Sequence, residues 1–338
     1  MKKSIKYFVT CMTLVLAFFV TDHKAQATDG LKDSLEASEQ LLQNHLGEEQ
    51  AAYTGGPVSN LQQTNATTTT VTITWNPAAG ATSYLIAESD GTSVWELETV
   101  TATTYTRQYP AEDSYSILGV YPIDANGVAG TPETVLVSTV PTKIKTIAYA
   151  DYFASDRHLQ VAWSQSLVAD GYEVVCYNSK GKKVQKLDVS YASYSTSGIT
   201  FTKTNTRNTY YVVVTGYIYI NNGANKLYGA ASGKFYAVPQ PKVTSKNSDV
   251  KEHSVNLKWK KVTGATSYSV YVSTKKNSGY KKVATVKTNS YKLTKYKGKT
   301  INTGKSTYYI KIVTNAKFKS KKVKSRDDYV ISAYTTYY

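Results

Sequence analysis

One pattern of alternating apolar and polar residues occurs three times along the chain. In each copy every second side chain is apolar, and the segment ends in a tryptophan; these are Trp75, Trp163 and Trp259. A tyrosine follows each tryptophan nine residues later, and the alternation then resumes; these are Tyr84, Tyr172 and Tyr268. A period of two is typical of a strand with one buried face. The pattern therefore predicts the same two half-buried strands, joined by a short turn, in three places.

The spacing of the copies predicts three domains. The three repeated tryptophans lie 88 and 96 residues apart, which is close to the length of one β-sandwich domain. We therefore predict an all-β chain of three tandem immunoglobulin-like sandwiches, which cover residues 57–140, 141–238 and 239–338. The joints contain Pro141, Pro239 and Pro241, and short proline-containing joints favour a semi-rigid rod.

Further segments rich in strand-forming residues predict the other strands, although 281–286 does not alternate cleanly. In the first domain they lie at 84–87, 93–100, 115–121 and 135–137. In the second they lie at 172–177, 183–189, 210–217 and 234–238. In the third they lie at 268–273, 281–286, 308–313 and 330–334.

The first 27 residues have the features of a secretory signal peptide. Lys2, Lys3 and Lys6 precede an apolar run at 7–20, and Ala25-Gln26-Ala27 supplies the small residues that signal peptidase requires. We predict cleavage between Ala27 and Thr28. The apolar run is short for a membrane span, and no later stretch approaches that length.

Residues 28–56 are predicted to form a short helix and a linker. Leu31, Leu35, Leu42 and Leu46 fall on one helical face, and acidic residues are concentrated in the N-terminal half. This arrangement suits both amphipathic packing and the helix dipole.

The repeated residues resemble bacterial fibronectin type III domains of secreted Gram-positive proteins. That family has a tryptophan on the second strand, a tyrosine opening the third, and another tyrosine near the start of the sixth that bonds to the backbone at a corner. In that order, the matching residues are Trp75, Tyr84 and Tyr115; Trp163, Tyr172 and Tyr210; and Trp259, Tyr268 and Tyr308. The resemblance implies that these nine residues lie in the domain cores. It does not indicate a function, because domains of this kind serve as spacers, adhesins and enzyme appendages alike.

Little in the sequence points to catalysis. Once the signal peptide is removed, Cys176 is the only cysteine; its phase in the alternation predicts a buried apolar residue, since a catalytic thiol would need a basic, exposed setting. No cysteine or histidine cluster has zinc-ligand spacing. We therefore predict no catalytic residue, metal or cofactor. The alternative is an enzyme accessory, or a hydrolase within the irregular segments 190–208 or 292–306, which are short for an active site.

Charge is distributed unevenly along the chain. The net charge is +16; residues 239–338 contain 23 basic and 4 acidic residues, whereas residues 56–140 contain 1 and 8. Such a basic region attracts anionic polymers in a salt-dependent way, and lysine favours diffuse attraction over sequence-specific nucleic-acid recognition. The candidate binding residues are Lys258, Lys260, Lys275, Lys276, Lys281, Lys282, Lys319, Lys321, Lys322 and Lys324. The alternative is a solvated face that protects sheet edges from pairing.

Tyrosine is the second candidate for binding, with 30 residues against 7 phenylalanines. Exposed tyrosines such as Tyr217, Tyr219 and Tyr334 could stack on sugars. The alternative is strand propensity and cross-strand pairing.

Together these features predict a secreted, monomeric, non-catalytic rod that binds an anionic cell-wall polymer or extracellular glycan through its third domain. A plain spacer and an accessory carbohydrate-binding array remain alternatives.

Overall fold

The computed structural model describes residues 36–45, 53–151, 158–194, 198–205 and 207–335. The predicted signal peptide and its cleavage site between Ala27 and Thr28 lie outside these ranges. Residues 36–44 are helical, within the segment where a helix is predicted.

Within these described ranges, the remaining regular structure consists of strands and one short 3-10 helix, Tyr191–Ser193. The first sandwich comprises β1 (Ser59–Ala66), β2 (Thr70–Asn76), β3 (Ser83–Ser89), β4 (Val94–Val100), β5 (Thr104–Gln108), β6 (Tyr115–Ile123) and β7 (Glu133–Ser138). The second comprises β8 (Ile147–Asp151), β9 (Leu159–Trp163), β10 (Gly171–Asn178), β11 (Lys183–Ser190), β12 (Ile199–Phe201), β13 (Tyr210–Ile220), β14 (Asn225–Tyr228) and β15 (Phe235–Ala237). The third comprises β16 (Val243–Asp249), β17 (Ser254–Trp259), β18 (Ala265–Ser273), β19 (Lys281–Val286), β20 (Ser290–Leu293), β21 (Lys295–Tyr296), β22 (Lys299–Thr300), β23 (Tyr308–Phe318), β24 (Lys321–Lys324) and β25 (Ile331–Ala333).

Each sandwich pairs a three-stranded sheet with a larger antiparallel one. The smaller sheets have the orders β1-β2-β5, β12-β9-β8 and β16-β17-β20; the larger ones have the orders β4-β3-β6-β7, β11-β10-β13-β14 and β19-β18-β23-β24. The tryptophan strand and the following tyrosine strand thus lie in opposite sheets, so the chain crosses the core between them. The prediction of an all-β fold built from sandwiches is confirmed.

The repeated tryptophan and tyrosine close each core in the same way. The ring centroids of Trp75 and Tyr84 lie 5.3 Å apart in an edge-on arrangement, and the two later pairs have the same separation. The Tyr84 hydroxyl accepts a hydrogen bond from the Ala78 backbone N–H, 3.0 Å away. Tyr172 and Tyr268 accept equivalent bonds from residues six positions before them. Each tyrosine therefore fixes the loop that crosses between the sheets while its ring fills the core.

A second tyrosine forms a backbone corner in the second and third sandwiches. Tyr210 and Tyr308 are buried, and their hydroxyls accept hydrogen bonds from the backbone N–H groups of Asn205 (2.8 Å) and Asn302 (3.1 Å). Because a buried hydroxyl needs a partner, this bond ties the loop to the start of the sixth strand.

The prediction that Tyr115 occupies this position in the first sandwich is wrong. Tyr115 is 49% exposed, because β6 pairs with β3 in a register that places Ser116 where the second sandwich has Tyr210. Buried Tyr109 fills the site instead, and its hydroxyl lies 2.5 Å from the Ser116 Oγ. A one-residue shift reverses which face a side chain meets, so Tyr115 points to solvent.

The helix at 36–44 covers the outer face of the larger sheet of the first sandwich. Leu42 is fully buried there among apolar side chains of β3 and β6, and the Tyr121 hydroxyl donates a hydrogen bond to its carbonyl. Gly119 lies beneath it, where an added Cβ would come within 3.2 Å of the Leu42 Cδ2. The Gln43 side chain also donates to the Pro132 carbonyl at 3.2 Å. Leu42, Gln43 and the Tyr121 hydroxyl thus hold the described part of the helix on the sheet.

The joint between the first two sandwiches is a packed interface. Ile218 and Ile220, near the end of β13, are buried against the core of the first sandwich. At the other side of the joint the Asp113 carboxylate accepts hydrogen bonds from Thr142 N–H (2.9 Å), Thr142 Oγ1 (2.7 Å) and Ser166 Oγ (2.8 Å). Apolar burial and a charge-assisted hydrogen-bond network therefore oppose bending here.

The second joint repeats this arrangement. Ala316 and Phe318, near the end of β23, pack against Val238 of the linker, and the Thr314 Oγ1 donates to the Pro239 carbonyl at 2.8 Å. In both joints the end of the sixth strand of the following sandwich reaches back over the linker.

Candidate functional site

The structure divides the ten predicted lysines between both sheets of the third sandwich. Lys258 and Lys260 lie on or directly after β17, in the smaller sheet, whereas Lys281 and Lys282 lie on β19, in the larger one. The remaining six lie in two turns: Lys275 and Lys276 between β18 and β19, and Lys319, Lys321, Lys322 and Lys324 on the β23–β24 hairpin. Nine are exposed and Lys260 is partly buried.

The two turns lie at opposite ends of the sandwich. β18 and β23 are antiparallel, with Ala265 opposite Ala316 and Ser273 opposite Tyr309. The β23–β24 hairpin therefore lies beside the second sandwich, and the turn that carries Lys276 lies at the far end. The six turn lysines therefore form two separate groups, and the ten lysines together do not form one continuous face.

The denser group occupies the β23–β24 hairpin. Lys317 lies directly opposite Lys322, and Lys324 lies opposite Asn315. Because Ala316 and Phe318 face the joint, these alternate side chains project from the outer face of the sheet. The hairpin lysines are Lys317, Lys319, Lys321, Lys322 and Lys324. Lys317 is not among the ten lysines selected from the sequence. It lies on the same strand as Lys311, six residues later, and so projects from the same face.

The hairpin lysines concentrate uncompensated charge. Within the described ranges none of them forms an ion pair, since the nearby carboxylates of Asp327 and Asp328 contact Lys311 (3.4 Å) and Arg326 (2.7 Å). The Cα atoms of Lys322 and Lys324 lie about 7 Å apart on the same face of the strand, so their like charges are kept near each other and repel. A bound polyanion would relieve this repulsion.

A tyrosine and lysine cluster covers the outer face of the second sandwich. Tyr217, which the sequence suggested could be exposed, is buried, because its ring lies across Gly171 and under the Lys226 ammonium, 3.9 Å from the ring centroid. Its hydroxyl donates to Asp188 at 2.6 Å, and Lys226 donates to the same carboxylate. Partial burial opposes ionisation of Asp188, but these two hydrogen bonds outweigh it and lower the pKa of its carboxyl. Charged groups here satisfy one another, which indicates a structural role.

Cys176 is fully buried in the second core. Burial raises the pKa of its thiol to about 12, so the reactive thiolate does not form at neutral pH.

We therefore expect Cys176 to resist a thiol reagent such as DTNB in the folded protein and to react fully in denaturant. The measurement is the absorbance of the thiolate that DTNB releases on reaction, with and without guanidinium. Stoichiometric labelling within minutes under native conditions would contradict the buried position.

In the ranges that the structure covers, no group of three histidine, cysteine or acidic side chains is placed to hold a metal ion. Over the same residues, no helix has the length and apolar character needed to cross a membrane.

The strand order identifies the fold. In each sandwich the first, second and fifth strands form the smaller sheet, and the larger sheet combines the third and fourth strands with a later hairpin, which is β6–β7, β13–β14 or β23–β24. Tryptophan on the second position, tyrosine on the third and the corner tyrosine complete the pattern in two of the three copies. The three sandwiches have the fibronectin type III fold.

Solved structures with this fold resemble the chain at low sequence identity. The FN1–FN3 domains of chicken CNTN1 cover 82% of this chain and 98% of their own, with 16% identity and a TM-score of 0.25. A two-domain fibronectin type III segment of chicken tenascin covers 53% and 97%, with 16% identity and a TM-score of 0.30. An Fn3-like protein from Clostridium thermocellum covers 30% and 98%, with 24% identity and a TM-score of 0.24. No protein-family model and no curated protein matches the sequence.

Proposed function

We propose that the chain is a secreted, non-catalytic binding protein whose third fibronectin type III domain attaches it to an anionic cell-wall polymer or extracellular glycan. The first domain, with 1 basic and 8 acidic residues over 56–140, would be held away from the same polymer by repulsion. Attachment would rest on many weak charge contacts and would need no covalent anchor.

The observation that carries this proposal is the charge of the hairpin lysines. They are exposed, lie together on one hairpin, and form no ion pair among the residues that the structure describes. A surface whose only role is to keep the protein soluble would work equally well with carboxylates mixed among its lysines. Residues 239–338, however, contain only 4 acidic residues. An excess of one sign on this scale favours a partner of the opposite sign.

The packed joints suit this function. Ile218 and Phe318 bury apolar surface between neighbouring domains, which limits relative motion. A rod of this kind would hold the acidic end at a fixed distance from the attached end, so the spacer role is part of the proposal.

The proposal predicts salt-dependent retention that depends on the hairpin lysines. The chain from Thr28 onward would be passed over immobilised heparin and over purified cell wall at low and moderate salt. Replacing Lys319, Lys321 and Lys322 with glutamine should weaken retention and lower the slope of log affinity against log salt by about 2, because each lost contact releases roughly 0.7–0.9 fewer counterions.

The matched control replaces Lys180, Lys182 and Lys183 with glutamine. These three exposed lysines lie at the turn between β10 and β11 of the second domain, far from the hairpin lysines along the chain, and their removal changes the net charge equally. If both variants lose retention equally, binding depends on net charge alone and the hairpin lysines are not a specific site. Retention that is absent at low salt, or that does not respond to salt, would overturn the proposal.

A further inference from the structure

A groove of about 450 Å³ lies at the far end of the third domain, away from the hairpin lysines. It follows the outer face of the larger sheet, where β23 pairs with β25 and Tyr309 lies opposite Ser332. Its lining residues are Lys276, Thr307, Tyr309, Val330, Ser332 and Tyr334. The volume falls within the range of small-ligand sites, in which apolar surface is combined with a few polar groups.

One wall of the groove is an exposed tyrosine held in place by a lysine. Tyr334 is 55% exposed. The Lys246 ammonium lies 5.7 Å from its ring centroid and donates to the Ser332 carbonyl at 2.7 Å. This contact positions the ring beside the groove and adds positive charge behind it.

The opposite wall is a turn that presents Lys276. The Tyr280 hydroxyl donates to the Lys276 carbonyl at 2.6 Å, and the Ser273 Oγ both donates to the Ser278 carbonyl (2.6 Å) and accepts from the Lys275 N–H (2.9 Å). The turn backbone is therefore fixed. Across the described ranges the Lys276 ammonium forms no ion pair, and no carboxylate lines the groove.

The chemistry of the lining suits a sugar ring with a neighbouring anionic group. Tyr309 and Tyr334 offer flat faces for the apolar side of a pyranose, Thr307 and Ser332 offer hydroxyls for its polar edge, and Lys276 offers a charge for a sulfate, carboxylate or phosphate. We infer that this groove binds one sugar unit of an anionic glycan. The inference rests on the proposed function: the hairpin lysines supply diffuse attraction, and the groove selects glycans among polyanions.

The test separates ring recognition from charge. Binding of the chain from Thr28 onward would be measured with a heparin octasaccharide, with inorganic polyphosphate of equal charge, and with single-stranded DNA of equal charge. Tyr334→Ala should lower the affinity for the octasaccharide about five- to tenfold, which is the contribution of one aromatic contact. It should change the affinity for polyphosphate by less than about twofold. Lys276→Gln should weaken the octasaccharide as well.

Tyr115→Ala is the matched control, because Tyr115 is a comparably exposed tyrosine on the first domain, 49% exposed. It should change none of the three affinities. Circular dichroism would verify that each variant is folded.

The outcomes distinguish this inference from the proposed function. If the octasaccharide binds Tyr334→Ala as tightly as the unaltered chain while the hairpin variant loses affinity, the groove inference fails and the proposed function stands. If none of the polyanions binds at low salt, both fail. If Tyr334→Ala weakens single-stranded DNA as much as the octasaccharide, the groove is a general stacking site and the assignment to glycans is overturned.

Discussion

Replacing Trp75 with alanine is expected to lower the free energy of unfolding of the first domain by about 3–5 kcal/mol. The indole is buried, 4% exposed, and packs edge-on against Tyr84 across the core. Its removal leaves a cavity and takes away the surface that orients Tyr84, whose hydroxyl holds the loop at Ala78. Guanidinium denaturation followed by circular dichroism would measure the change.

Trp95 provides the control within the same domain. It lies on β4 and is 46% exposed, so Trp95→Ala should cost less than about 1 kcal/mol. Equal destabilisation by the two substitutions would show that the repeated tryptophan has no special place in the core. That result would contradict the assignment of a tryptophan-centred core to each of the three sandwiches.

Replacing Ile218 with alanine is expected to destabilise the first joint by about 2–5 kcal/mol. Ile218 belongs to the second domain but is fully buried against the core of the first. Its loss should make the linker at 141–146 more accessible to a protease and should separate the thermal unfolding of the two domains. Limited proteolysis and differential scanning calorimetry would report these two effects.

Tyr219→Ala tests whether the effect belongs to the joint. Tyr219 is the next residue on the same strand and faces solvent on the opposite side. Its replacement should leave both the protease pattern and the calorimetric trace nearly unchanged. If Ile218→Ala lowers stability without exposing the linker, the residue supports the second domain and does not hold the joint.

Four of the strands that alternation did not predict share one physical property. β5 reads Thr-Tyr-Thr-Arg-Gln and β24 reads Lys-Lys-Val-Lys, so neither contains an apolar stripe. β1 and β16 are likewise rich in polar residues. These segments become strands because a neighbouring strand offers backbone hydrogen bonds. Pairing of this kind depends on residues distant in sequence.

The candidate site likewise has features that the sequence predicts and features that only strand pairing decides. Residue counts alone locate the basic region at 239–338, but they cannot say that Lys258 and Lys282 lie on different sheets. The groove joins a turn after β18 with segments of β23 and β25. No local pattern links Lys276 to Tyr334, because the pairings of β18 with β23 and of β23 with β25 together bring them near each other.

The sequence by itself determined the three tryptophan-and-tyrosine cores, since side-chain alternation along a strand is a local property that burial on one face imposes. Only the tertiary structure decided three other features: the exposure of Tyr115, the use of Ile218 and Phe318 as joints, and the separation of the lysines into two groups. The reason is register. Alternation specifies that two faces exist, whereas strand pairing and contact with the next domain decide which face meets the core, a neighbour or water.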